Sequence, residues 1–364
     1  MQAGALPNPE LTGEVENVGG SGARQGFEQT ESTVRLAQRI ELGGERGARV
    51  RLAEQERSLA AWNHEAARLA VVTATTKAFV TALAAQERLA LATDMQRLAG
   101  DTAAAVERSV AAGAVAPVES ARARVVAARA AVESAQAERA LDAARTLLAA
   151  SWGEPRARFG RLEGSLAAVG SLPAEADLVA ALERSPAIAR WKTTRAARAA
   201  AAALERARRI PDVTVGAGGR HFSDNGDNAL VFEVSLPLPV FDRNGAAVTA
   251  AREREAQAED EAEAARVEAR RALADAYLRL REARATASAL ADTVLPDARR
   301  TVADTVDAFR KGVLPTTDLL LARRTLMEIE RERLDALERF HLAAADIERL
   351  TGARLARTNE GDGR

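Results

Sequence analysis

The chain has 364 residues, with 51 Lys and Arg against 52 Asp and Glu, and the net charge of −1 leaves no footprint for nucleic acid or for an acidic partner. Cysteine is absent, which excludes disulfides, thiolate metal sites and a lipidated cysteine on this chain, and no run of eighteen apolar residues offers a spanning helix. Aromatic residues are only 3% while alanine, glutamate and arginine fill long stretches, the composition of long packed helices rather than of a thick globular core.

The first residues, MQAGALP, read as the last turn of a helix, with no charged-then-apolar segment before them. In the second half of the chain a full helix leads into the corresponding strand. The contrast predicts a chain truncated at its N-terminus, or one whose start was assigned late, so a missing signal segment says little about location. Pro9-Glu10-Leu11-Thr12 follows, then the loop VGGSGARQG, whose glycines suit a hairpin connection. TVRLAQRIEL alternates with the period of a strand, placing Val34, Leu36, Ile40 and Leu42 on one face and Thr33, Arg35, Arg39 and Glu41 on the other. Around Gly43, Gly44 and Gly47 the period turns helical. No proline interrupts it before Gly113, a stretch of roughly 100 Å at about 1.5 Å per residue. GAVAPVE then makes a turn, and a second helix returns to Gly153.

Glu154–Arg209 breaks the pattern, with loops marked by Pro155, Gly160, Gly164, Gly170 and Pro173. Ser185-Pro186 reads as an N-cap followed by proline at the first helical position, opening a helix that runs into Pro211. From there the chain repeats itself. Pro211-Asp212-Val213-Thr214 answers the first Pro-Glu-Leu-Thr at an offset of 202. RHFSDNGDN is a second hairpin loop, and ALVFEVSLPLPV sets Leu230, Phe232, Val234, Leu236, Leu238 and Val240 opposite Val231, Glu233 and Ser235. The turn at Asp242, Asn244 and Gly245 matches the first one, Gly245 answering Gly47 at an offset of 198. Gly312 answers Gly113 and Gly352 answers Gly153, each at 199, and only Pro296 lies inside the intervening helix. In the last helix Leu326, Ile329, Ala336, Phe340, Ala343, Ile347 and Leu350 follow a packing seam interrupted at Arg333. Near-constant offsets over such a length mean duplication, with a period too long for a solenoid.

The expected organisation is a first β-hairpin over 1–47, a long helical hairpin over 48–153 and an inter-repeat segment over 154–210. A second β-hairpin over 211–245, a second helical hairpin over 246–352 and a disordered polar tail over 353–364 complete it. Four strands are too few for the smallest membrane barrels of about eight, so spanning strands would require oligomerisation. A soluble sheet with one face on a core is the competing reading of the same alternation.

PNPEL, IELGGERG, PVFDRNG and the helix turns GAVAPVESARA and GVLPTTDLLLARRTL together resemble the TolC-like outer-membrane efflux proteins. Within them, PNPEL with an EN soon after and a Q-x-IELGG-x-R turn look most like the outer-membrane components of cobalt–zinc–cadmium export systems. The resemblance covers essentially the whole chain apart from the tail. It implies a mostly α fold with a β-barrel portion: an internally duplicated chain whose homotrimer closes a twelve-stranded barrel in outer-membrane lipid, continued by an α-helical tunnel through the periplasm of a Gram-negative bacterium. It implies a passive exit duct for divalent metal cations, working with a periplasmic adaptor and an inner-membrane RND pump that supplies the energy. Each strand-to-helix turn is then the point where barrel hands over to tunnel.

Carried onto this chain, the resemblance places adaptor docking at Gly113, Ala114 and Val115 in one helix turn and Gly312, Val313 and Leu314 in the other. It places Glu119 and Asp318 near the tunnel entrance as an acidic ring, against the plainer reading of two solvated helix charges. Leu321 stands where some members carry a second acidic residue, which argues against a double ring. Phe27, Phe222, Phe232 and Phe241 fit either interfacial girdles or ordinary packing. His64, His221 and His341 lack metal-ligand neighbours at helical spacing, and no metal site or cofactor is expected. A Walker loop, a G-x-G-x-x-G turn and a Ser/His/Asp set are all missing, so no enzyme is expected. The rivals are a general drug or type I secretion channel, a periplasmic coiled-coil adaptor and a soluble coiled-coil scaffold. A single helical hairpin flanked by half-domains would mark the adaptor, and a lack of period-2 segments the scaffold.

Overall fold

A computed structural model describes residues 2–355; the expected tail lies, from residue 356 on, outside the described residues. In chain order the regular elements are β1 (Glu10–Glu16), β2 (Glu31–Ile40), α1 (Glu45–Ala111), α2 (Pro117–Ala150), α3 (Glu175–Glu183) and α4 (Pro186–Ala207). Then come β3 (Val213–Phe222), β4 (Asn228–Ser235), α5 (Gly245–Ala289), α6 (Leu295–Arg310) and α7 (Thr316–Thr351). They fall into two compact units, one of residues 1–64 and 188–266 and one of 65–187 and 267–364, with α1 and α5 each beginning in the first and continuing in the second.

The first unit holds one antiparallel sheet in the order β1-β2-β3-β4, so the two hairpins of the duplicated chain pair through β2 and β3. Leu11, Leu36, Ala217 and Phe232 share one row across the sheet, and Glu14, Thr33, Arg220 and Ala229 share another on the opposite face. The strands are shorter than their alternation suggests. β2 stops at Ile40 and β4 at Ser235, so Leu42, Leu236, Leu238 and Val240 lie outside the sheet. Pro237 and Pro239 cannot donate to a ladder, which ends β4 although the apolar rhythm continues.

Gly47 is not part of the strand-to-helix turn but lies in the first helical turn of α1, which opens at Glu45. The equivalent residues are Gly44 and Asn244, both at positive φ (74° and 54°) and both accepting the first helical hydrogen bond, from Ala48 and Val248. Asn244 tolerates the left-handed region because its backbone N–H bonds the Asp242 carboxylate at 2.8 Å. The two turns are thus offset by the same 200 residues as the helix starts Glu45 and Gly245.

In the second unit the helices pack along seams of small side chains. α2 buries Ala123, Ala130, Ser134, Leu141, Ala144 and Leu148, a heptad-like series, and α7 buries Leu334, Leu337, Phe340, Ala343, Ile347 and Leu350. Leu326 and Ile329, expected on the same seam, are only half-buried. Pro296 does not end its helix. A π turn over Leu290–Val294, with the Leu295 N–H reaching the Leu290 carbonyl, absorbs the proline's missing donor and lets α6 continue. Ser185 sits at the cap position of α4 and is buried, yet its hydroxyl bonds nothing among the described residues, so proline geometry starts that helix. α3, which the loop-rich reading of 154–209 missed, packs Leu178 and Leu182 toward α7. The exclusion of any helix apolar enough to cross a membrane was also too strict. α1 contains one such eighteen-residue window, of mean hydropathy 1.3 and 33% buried. Its Val80, Leu83 and Ala84 pack into a cluster with Leu334 and Leu337.

Candidate functional site

Three features carry chemistry: the two faces of the sheet, the strand-to-helix turns and the helix tips. One sheet face is apolar and open. Leu11, Leu230, Phe232 and Val234 are each about three-quarters exposed, and Val15, Val34 and Leu36 more than half. This matches the alternation read from TVRLAQRIEL and ALVFEVSLPLPV within the strands themselves. Of the four phenylalanines, Phe232 lies mid-strand on this face and Phe222 half-buried at a strand end. Phe27 lies in a hairpin loop and Phe241 beyond the other end of the sheet, both exposed.

The opposite face is a polar lattice that sequence reasoning missed. Arg35 on β2 reaches Glu14 on β1 at 3.0 Å and Glu233 on β4 at 3.3 Å. Arg220 on β3 reaches Glu31 at 2.6 Å and Glu16 at 3.1 Å, and its Nε donates to Thr33 Oγ1 at 2.9 Å. Two arginines therefore tie all four strands together on one side. Arg35 can lie across β3 because Gly218 has no side chain there: a Cβ would stand 2.7 Å from Arg35 Cγ and 2.2 Å from the Val34 carbonyl oxygen. Glu10, Glu14 and Glu16, alternating in ELTGEVE, were the available signal for this face.

At the turns, Gly43 packs so closely on the end of α4 that a Cβ would stand 2.2 Å from the Ala207 carbonyl oxygen, while Asn244 Nδ2 donates to both the carbonyl and the carboxylate of Glu205 at 2.9 Å. Arg49 pairs with Glu41 and Glu45. The Glu45 carboxyl is raised above the ordinary range, first by burial and then by the nearby Asp212 charge, with Arg208 opposing.

The helix tips share one design. Gly113 and Gly312 both have φ of 72°, and each closes a Schellman-type end: Gly113 N–H to Val110 O with Ala114 N–H to Ser109 O, and Gly312 N–H to Phe309 O with Val313 N–H to Ala308 O. Ala114 and Val313 are exposed, whereas Val115 and Leu314 are half-buried, Val115 against Val106 and Ala123. Glu119 and Asp318 occupy the same place, the third residue of α2 and of α7, where a carboxylate complements the helix dipole. They differ in company: Glu119 pairs with Arg122 at 2.9 Å, and Asp318 is exposed with no ion pair among the described residues.

Behind the tips α1 and α7 are joined by polar rungs. Lys77 meets Asp346 at 2.6 Å, Arg88 meets Asp335 and Glu338 at 2.5 Å each, and Arg323 donates to Thr102 Oγ1 at 2.6 Å. Burial pulls the Arg88 guanidinium down, but its hydrogen bonds to Asp335 and Glu338 outweigh this and hold it above its ordinary value. Burial lowers Arg323, against the nearby Asp101 charge. Replacing Arg88 with methionine is expected to cost about 1–3 kcal/mol, because two carboxylates then face each other half-buried without a cation. Denaturant unfolding of the purified protein measures it. Adding Asp335→Leu and Glu338→Met should restore most of the loss, and a single variant as stable as the parent would show the rung to be idle.

Among the described residues no group of three or more His, Cys, Asp and Glu is placed to hold a metal ion. His221 bonds Asn228 at 3.1 Å, and His341 Nε2 donates to the Leu166 carbonyl at 2.9 Å, pinning the 154–174 segment beside a broad groove of about 1420 Å³.

A family model described as "Outer membrane efflux protein" matches residues 1–154 and 178–353. The chain is 36% identical over 352 residues to the cobalt-zinc-cadmium resistance protein CzcC of Cupriavidus metallidurans, a match covering 97% of this chain and 82% of that protein. With the nickel and cobalt resistance protein CnrC of the same organism it shares 32% identity over 268 residues, 74% of this chain and 63% of the relative. Its fold is that of the Neisseria gonorrhoeae MtrE outer membrane channel in its open state, with a TM-score of 0.79 at 21% identity over 98% of this chain and 82% of that one.

Proposed function

Because the chain belongs to the outer membrane efflux protein family, a family of conduits rather than enzymes with the mostly α TolC-like fold, we propose that it is the outer-membrane exit duct of a tripartite pump that expels divalent heavy-metal cations. The observation that carries the channel reading is the sheet: an exposed apolar face, a salt-bridged polar face, and β1 and β4 each with one edge unpaired among the described residues. In hydrocarbon those edges must be paired. Three copies supply twelve strands, above the minimum of about eight for a closed barrel, with the apolar face toward lipid and the arginine–glutamate lattice toward the lumen. The helices then stand in the periplasm as the tunnel, and the tips around Gly113 and Gly312 receive a periplasmic adaptor bound to an inner-membrane RND pump. Metal cargo is supported by the resistance proteins at 36% and 32% identity.

Growth of a deletion strain across graded zinc, cobalt, cadmium and nickel, beside a panel of lipophilic antibiotics, tests the cargo. Sensitivity confined to the metals and reversed by the restored gene is the expected result. Sensitivity to the antibiotics alone would sink the metal assignment and leave a general exporter.

A further inference from the structure

Building on this membrane reading, we infer that the helix-proximal rim of the sheet is a binding surface for anionic phospholipid headgroups. The two ends of the strands carry opposite charge. Segments 39–51, 205–212 and 240–245 hold eight arginines against five carboxylates, whereas the hairpin loops at 16–31 and 220–228 hold two against five. The three arginine-rich segments converge through the contacts of Gly43 with Ala207 and of Asn244 with Glu205.

The carboxylates of this rim are already engaged. Glu41 and Glu45 hold Arg49, Glu205 holds Arg208, Asp212 faces Arg39 and Asp242 caps the Asn244 N–H. That leaves Arg46, Arg51, Arg206, Arg209 and Arg243 exposed and without a carboxylate partner among the described residues. Arg46, Arg206 and Arg243 donate only through Nε, to backbone carbonyls of Gly4, Ala202 and Pro239, so the outer edges of their guanidinium forks stay available. Such forks match the oxygens of a phosphate.

What selects a lipid over a free phosphate is the neighbouring surface. The apolar face runs past the end of β4 into Leu238, Val240 and Phe241, the last wholly exposed, and Leu42 and Ile210 are exposed beside them. An apolar band ending in unpaired guanidinium groups is the profile of a boundary between hydrocarbon and headgroups. The hairpin end also exposes Phe27 and Val18, but there a single arginine without a carboxylate partner among the described residues, Arg24, stands against five carboxylates.

The test incubates the full detergent-solubilised chain with equimolar phosphatidylglycerol and phosphatidylcholine and counts retained lipids by native mass spectrometry. Phosphatidylglycerol should be retained over phosphatidylcholine by at least about fivefold, the factor for one arginine near an anionic surface. The excess should fall severalfold in an Arg206→Gln/Arg209→Gln/Arg243→Gln variant, which keeps Arg46 and Arg51, fall less in the matching lysine variant and shrink as salt is raised. Equal retention of both lipids by the parent, or an undiminished excess in the glutamine variant, overturns the inference. Full displacement by millimolar inorganic phosphate overturns it too, in favour of a free-anion site. A chain that stays dissolved without detergent and retains neither lipid would instead overturn the channel reading itself.

Discussion

A Gly218→Val chain is expected to disappear from the membrane fraction, while Gly219→Val, the next residue of β3, is expected to assemble normally. At Gly218 the new Cβ would stand 2.2 Å from the Val34 carbonyl oxygen and 2.7 Å from Arg35 Cγ. Backbone cannot yield there without opening the β2–β3 ladder, and moving Arg35 strands Glu14 and Glu233. Overpacking of about 1–3 kcal/mol and the unpaired charges together reach roughly 3–6 kcal/mol, a large part of a domain stability of about 5–15. At Gly219 nothing lies within 4 Å of a Cβ, and the register puts it beside Val34 on the open apolar face, where a valine side chain meets no clash. Membrane abundance and heat-modifiable gel mobility of the two variants give the answer. Equal assembly of both would mean that the lattice across Gly218 does not hold the sheet.

Val313→Glu is expected to lower metal resistance to that of a strain lacking the gene, with membrane abundance and trimer mobility unchanged. Val313 is 72% exposed, follows Gly312 at the tip, and has its backbone N–H committed to Ala308. The side chain is therefore presented on a rigid turn without serving a core. If the proposed docking holds, loss of a central contact of about 2 kcal/mol weakens adaptor affinity roughly thirtyfold. Ala114→Glu, its counterpart in the other turn, should act in the same direction. Val115 and Leu314 are half-buried, so changes there are expected to cost stability as well and to report docking less cleanly. Full resistance in Val313→Glu with normal abundance would remove this tip from the docking surface.

The tips were legible because each is a local device: a glycine at positive φ, a proline at the next helix start and a carboxylate in the first turn. The turns at Gly44 and Asn244 were harder. Two different residue types fill the same left-handed position, so matching glycine to glycine paired Gly47 with Gly245 and slipped the register by two residues. The π turn before Pro296 was hidden for a similar reason. A proline states that a donor is missing, not how the helix will absorb the loss.

The sequence by itself determined the duplication, the two passages from strand to helix and the apolar rhythm of the sheet, since all depend on spacings within one element. Only the tertiary structure decided which charges meet. Arg35 with Glu233, Arg220 with Glu16 and Arg88 with Asp335 lie far apart along the chain, and strand register and helix pairing bring them together. Periodicity says which face a side chain occupies; what stands opposite is fixed by packing of whole elements, where a shift of one residue would exchange every partner.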